Sequence, residues 1–294
     1  MTDPLLWLRI TSIIAIALVY MLFDVFNRRS VPSLYVYGTL AYGAVLTAAY
    51  ANVYAVAESA LVALAVLALG YVVYRIGQLG LADVIELAAL SLMLPVQAAP
   101  FAAASAQYSL PFVLSIVVNA GIASLVIAPL YYIPKAFRKL GSRIDSMLSR
   151  ADIVRAAAVT AAYAMFLAFL VAVAGIGMAG IALVLVMMAG SSLMLFFEKP
   201  MTEVMVSRVT YRDLEEGDII ATNLMSRREI AAARRRVPAF SRLVTPMLIG
   251  SMKRKHFSSR LPVYKHAMPF AVSIFVGACA ALLFGNLILY ILPF

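Results

Sequence analysis

Charge is scarce in this chain: of 294 residues only 13% are Asp, Glu, Lys or Arg, while 64% are hydrophobic. That balance excludes an ordinary soluble domain, in which about a quarter of the residues are charged. Cysteine is nearly missing as well. The single copy, Cys279, rules out an intrachain disulfide and a cysteine-cluster zinc site. Histidine occurs only as His256 and His266, both in a basic stretch, so a metal centre would have to rest on carboxylates alone. No metal and no cofactor is therefore expected. The net charge of +10 suggests nucleic acid only until its location is considered. In a membrane protein such an excess marks cytoplasmic loops and anionic lipid, and no nucleic acid partner is expected.

What the chain does have is a succession of apolar runs. A helix rises ~1.5 Å per residue and the hydrocarbon core is ~30 Å thick, so about 20 apolar residues can cross it. Leu5 to Phe23 is the first such run. It carries only Arg9 as a basic residue and no small-x-small cleavage site follows, so it reads as a retained helix and not a signal peptide. A polar link from Asp24 to Pro32 comes next, and Pro32 can open a helix because its missing N–H would be unpaired there. Further spans are expected over 35–56 and 60–76, with a turn at Glu58 between them, then over 82–100 after a break at Gly77 and Gly80. The uncharged stretches 87–134 and 156–197 are each too long for one crossing. The first divides at Pro100 to Pro111, giving a span over 111–133; the second divides at Gly175, Gly177 and Gly180, giving 156–174 and 178–197. An eighth run extends from Ala267 to Leu292.

The expected fold is thus all-α and polytopic, with about eight transmembrane helices. A membrane domain occupies 1–197, a basic hydrophilic region 198–266 and the last span 267–294. The hydrophilic region holds fourteen basic and seven acidic residues. Alternation in Met201-Thr202-Glu203-Val204-Met205-Val206 and the turn at Glu216-Gly217-Asp218 predict a small α/β-like insertion, and Arg227 to Arg236 predicts a basic helix. With both ends of the chain outside, Arg28, Arg29, Arg75, the Lys135 to Arg150 cluster and the hydrophilic region all face the cytoplasm, as the positive-inside rule requires. Asp24, ending the first span, and Asp83, opening the fourth, then reach the same depth at the cytoplasmic side of the cell membrane.

Ionisable groups at such places are costly and are read as functional. Two facing carboxylates cannot both ionise at close range, so they share a proton; the ionised member takes a proton from water while the other polarises a peptide carbonyl. Neither a metal nor a nucleophilic side chain is needed. This chemistry predicts an intramembrane aspartyl protease with Asp24 and Asp83 as its catalytic pair. Gly80 and Ala82 leave room for a substrate backbone beside Asp83. Glu86 lies one turn further along the same face, where it either adds its charge to the pair or, the favoured reading, snorkels to the interface. Asp83 alone would be no more than a helix N-cap, and Asp24 alone a helix-end acid paired with Arg28. A proton-coupled transporter using Asp24 and Asp83 is the alternative. Transporters place such acids nearer the midplane on broken helices with internal repeats, and no repeat is visible in the sequence.

Asp24 with Arg29, Val31 and Pro32 resembles the first-aspartate segment of the type IV prepilin peptidases, and Gly80-x-Ala82-Asp83 resembles their Gly-x-Gly-Asp segment in its archaeal variant. Leu214-Glu215-Glu216-Gly217-Asp218-Ile219-Ile220 and Pro269-Phe270 are also similar to the archaeal preflagellin and prepilin peptidases. Ala82 stands in for the third-position glycine of the bacterial motif, and Ser33 for the Asn found in many relatives. Presenilin-like proteases share the Gly-x-Gly-Asp segment, but their Tyr-Asp and Pro-Ala-Leu motifs do not occur here. The resemblance implies removal, at the cytoplasmic face, of a short basic leader from type IV pilin-like precursors or archaellins. Those precursors and membrane lipids are the implied partners. About six spans are usual in that family, so the runs at 156–174 and 178–197 are expected to form an added hairpin. The paired-cysteine zinc segment of the bacterial relatives is absent, and their N-methyltransferase activity is not implied.

Overall fold

The structure, a computed structural model, describes residues 5–27, 31–49, 53–94, 111–238, 240–257, 259–265 and 270–291. The chain is predominantly helical. It begins with α1 (Leu6–Phe26), α2 (Ser33–Ala48), α3 (Val53–Arg75) and α4 (Leu81–Met93), followed by α5 (Phe112–Leu140), a short α6 (Arg143–Met147), α7 (Arg150–Phe169) and α8 (Met178–Phe196). Five of the described helices are long and apolar enough to cross a membrane: α1, α3, α5, α7 with its π-helical continuation to Ala174, and α8. The outer faces of α3 and α7 expose Leu61, Leu64, Leu69, Val154 and Phe166. Such faces are costly against water and cost nothing against lipid.

Helix α4 differs from all of these, because every residue from Val84 to Met93 is buried. It is the central post, packed by α1, α2, α3 and α5. The last long helix, α12 (Phe270–Phe284), lies across α1 and α5. Small residues let these backbones approach closely. A Cβ on Gly277 would fall 2.6 Å from both the Ile116 carbonyl and the Ala120 nitrogen, and one on Gly43 would fall 3.0 Å from the Ala89 carbonyl. Arg9 is fully buried; its Nη2 donates to the Leu46 carbonyl at 2.7 Å and its Nη1 to the Met93 carbonyl at 3.4 Å. Those carbonyls close α2 and α4, where unpaired acceptors and the negative end of the helix dipole both favour a cation. A residue that in sequence is merely the lone charge of a span thus fastens two helix ends.

Several expected boundaries shift. Glu58 does not mark a turn: α2 stops at Ala48 and α3 already runs from Val53, since nothing around Glu58 breaks a helix. Helix α5 continues through Lys135 to Leu140 despite Pro129 and Pro134, its Arg138 and Lys139 suiting a helix C-terminus. The turn before α8 is made at Gly175, with φ +62°, whereas Gly180 sits inside α8 and leaves space for the Tyr290 carbonyl. The division expected between Pro100 and Pro111 falls mostly outside the described residues.

The hydrophilic region begins as helix where a strand was expected. Met201 and Val204 are three apart and both buried, a helical spacing, and Glu198–Met205 forms α9. Lys199 on α9 reaches Asp152 at 2.7 Å and Glu198 reaches Arg155 at 3.1 Å, tying α9 to the start of α7. Strand β1 (Ser207–Val209) then pairs antiparallel with β2 (Leu261–Val263), and between them lie α10 (Arg227–Arg236) and α11 (Pro246–Arg254). The basic helix has the bounds expected of it. Ile220, Val237, Val244, Leu248, Met252 and Val263 give this unit a core of its own.

Acid should loosen this unit. The Thr210 hydroxyl holds the Asp213 carboxyl below its ordinary range, and the backbone N–H of Ser226, opening α10, does the same for Glu229. A depressed folded-state value means stability that is complete above the unfolded value of ~4 and is lost as pH falls through the lower folded values. Hydrogen exchange in 210–236 is expected to accelerate below about pH 4 before exchange in α4 changes; simultaneous acceleration in both would contradict this.

Candidate functional site

Two helix ends build the candidate site. Asp24 is half-buried in the last turn of α1, and its Oδ2 accepts a hydrogen bond of 3.3 Å from the backbone N–H of Ala271. Ala271 lies in the first turn of α12, where N–H groups lack helical partners and the dipole favours an anion. Asp83, third residue of α4 and also half-buried, folds back so that its Oδ2 accepts from the Gly80 N–H at 3.1 Å. A Cβ on Gly80 would stand 3.0 Å from that oxygen. Asp83 is thus not the N-cap of α4: Gly80 holds that place, and Asp83, at the third helical position, reaches back to the Gly80 N–H as the acid of a capping box does. This contact leaves the second carboxyl oxygen out of the cap.

The two aspartates act on each other electrostatically, and Glu86 acts on both. Three carboxyls of α1 and α4 thus share one neighbourhood. Glu86 corrects the favoured expectation of a snorkelling acid: it is 0% exposed, and neither carboxyl oxygen has a hydrogen-bond partner among the described residues. Helix α4 is enclosed on every side, so a glutamate one turn inside it cannot reach the interface. Ala82 is partly buried against the membrane core. Pro32 is exposed and directly precedes α2, its carbonyl accepting from the Tyr35 and Val36 N–H groups. Arg29 and Pro269 lie outside the described residues. The Leu214 to Ile220 segment belongs to the separate β1–β2 unit, with its turn at Gly217, φ +89°. Among the described residues no group of three or more His, Cys, Asp or Glu is arranged to hold a metal.

Two tyrosines of the site were not singled out in the sequence. Tyr20 is buried, shares a 3.0 Å hydrogen bond with Thr39, and lies within electrostatic reach of Glu86 and Asp83. Its position four residues before Asp24 puts it on the same face of α1, a signal that could have been used. Tyr35 packs on Tyr20 and Phe23, with ring centroids 5.2 and 5.6 Å away, and also lies within reach of Glu86. Together the rings wall the carboxyls on the α1–α2 side.

Gly70 of α3 supports the site from behind, since a Cβ there would overlap Val84, the neighbour of Asp83. Gly70→Leu should push the start of α4 aside, with an overpacking cost of ~1–3 kcal/mol. The expected result is a lower melting temperature in detergent; an unchanged melting temperature would show that Val84 yields without strain.

Comparison with known protein families, with curated proteins and with solved structures finds no match to this chain.

Proposed function

We propose that this chain is a membrane-embedded aspartyl endopeptidase that removes the short basic leader of type IV pilin-like precursors or archaellins at the cytoplasmic face. The observation that supports it best is the electrostatic coupling of Asp24 and Asp83, which come from separate helices and are both half-buried. In this reading α2, α4 and α12 complete the five long helices to eight spans, and the Arg- and Lys-rich links face the cytoplasm. Asp24 and Asp83 share one proton. The ionised carboxylate draws a proton from a water molecule as the oxygen attacks the scissile carbonyl, and the protonated one stabilises the oxygen of the tetrahedral intermediate. Collapse of the intermediate returns a proton to the leaving amine. Because both groups sit on helices, their spacing is fixed by packing.

Proton-coupled transport is the second reading, and the buried, unpartnered Glu86 is the observation that favours it. One experiment separates the two. The purified protein in liposomes is given a pilin-type precursor, the cut site is located by mass spectrometry, and proton flux is followed in parallel. Leader release without proton flux is expected. Proton flux with every tested precursor intact would overturn the peptidase reading.

A further inference from the structure

Glu86 is the one buried side chain among the described residues whose oxygens have no hydrogen-bond partner. A buried carboxyl without a partner is costly, so such a group points to something that binds it. What faces it is acidic or phenolic: Asp83, Asp24, Tyr20 and Tyr35. In either protonation state a carboxyl keeps an acceptor oxygen, so a partner that brings N–H donors suits it.

We propose that Glu86 accepts hydrogen bonds from the backbone N–H groups that open the apolar helix of the substrate, thereby fixing the register of the scissile bond against Asp24 and Asp83. This rests on the peptidase reading above. Glu86 lies three residues beyond Asp83, ~4.5 Å deeper along α4. A bond must be extended to be cut, so the helix of the substrate can begin only past it, at about that depth. The first turn of any helix leaves its N–H groups unsatisfied and carries the positive end of the dipole. Within a bilayer no water is present to satisfy them. An unpartnered carboxyl and a set of unpartnered N–H groups thus meet at one level.

Glu86 is closed off in this structure, and the nearest candidate entry lies on the far side of Tyr35. Between α1 and α2 runs a groove of about 610 Å³, lined by Ser12, Ile16, Pro32, Tyr35, Thr39 and Tyr42. It runs along α2 from Pro32 to Tyr42, about three helical turns, and is faced on α1 by Ser12, Ala15 and Ile16. Its hydroxyls are largely paired with each other, Ser12 with Tyr42 and Thr39 with Tyr20, which leaves an apolar wall for an apolar helix. Tyr35 lines this groove and also lies within electrostatic reach of Glu86, so the proposal requires its ring to move when the substrate enters.

The test uses the whole protein in liposomes and pilin-type precursors in which single amides after the cleaved bond are replaced by esters. An ester removes one N–H and keeps the shape. In the wild type, an ester at a first-turn position should raise KM about tenfold with kcat nearly unchanged, and in Glu86→Leu the same ester should change KM less than about twofold. Glu86→Gln, which keeps one acceptor oxygen, should fall between, and it carries the comparison if Glu86→Leu does not insert. An ester penalty equal in wild type and variants overturns the proposal while leaving the peptidase reading intact. Precursors neither cut nor bound by the wild type overturn both.

Discussion

Under the proposed peptidase function, Asp24→Asn and Asp83→Asn are each expected to lower leader release at least ~10³-fold in reconstituted vesicles, while precursor binding stays within about threefold of the wild type. Asparagine has nearly the shape of aspartate and keeps an acceptor oxygen. Asn at 83 can still accept from the Gly80 N–H, and Asn at 24 from Ala271, so α1, α4 and α12 keep their ends together. What each variant loses is the ability to exchange a proton. Since the pair works as one unit, the double variant is expected to be no slower than the worse single one. Binding separates this from mere damage, because a collapsed site would lose affinity as well as rate. Either single variant cleaving at near wild-type speed would remove Asp24 and Asp83 from the chemistry.

Gly277→Leu is expected to be among the most damaging single packing changes. The Cβ would meet the Ile116 carbonyl and the Ala120 nitrogen, which are backbone atoms of α5 and cannot rotate away. The helices would have to part, at a cost of ~3 kcal/mol or more. Gly277→Ala should already lower stability, because the first added carbon is the one that collides. The effect should spread to the site, since α12 also presents Ala271 to Asp24. Thermal unfolding in detergent measures the first consequence and the rate of leader release the second. A Leu variant that melts with the wild type would mean that the α5–α12 seam is looser than its geometry.

Hydropathy was enough to reveal the helical membrane character and most of the long apolar helices, because lipid-facing helices such as α3 and α7 are apolar all round. It could not place their ends. Lys135 and Arg138 look like a link but continue α5, and Glu58 looks like a turn but lies inside α3, since a charge at a membrane edge neither starts nor stops a helix. The six residues from Met201 alternate as a strand would, yet Met201 and Val204, three apart, are the pair that is buried, and the segment is helix. Asp24 and Asp83 could be singled out as rare acids at helix ends. Glu86 could not be judged, because burial depends on how many neighbours enclose α4, a property of the assembled bundle. Arg9 was equally opaque: its partners are backbone carbonyls at Leu46 and Met93, which carry no side-chain signature.

The hydrogen bond between Asp24 and Ala271 joins residues 247 positions apart. A ribosome delivers α1 to the bilayer well before it has made α12, so a growing chain carries its first aspartate through most of its synthesis without that contact. The hydrogen-bonded position of Asp24 is reached only after residue 271 has been inserted. Completion of the Asp24 end of α1 is thus one of the last events in the assembly of the chain.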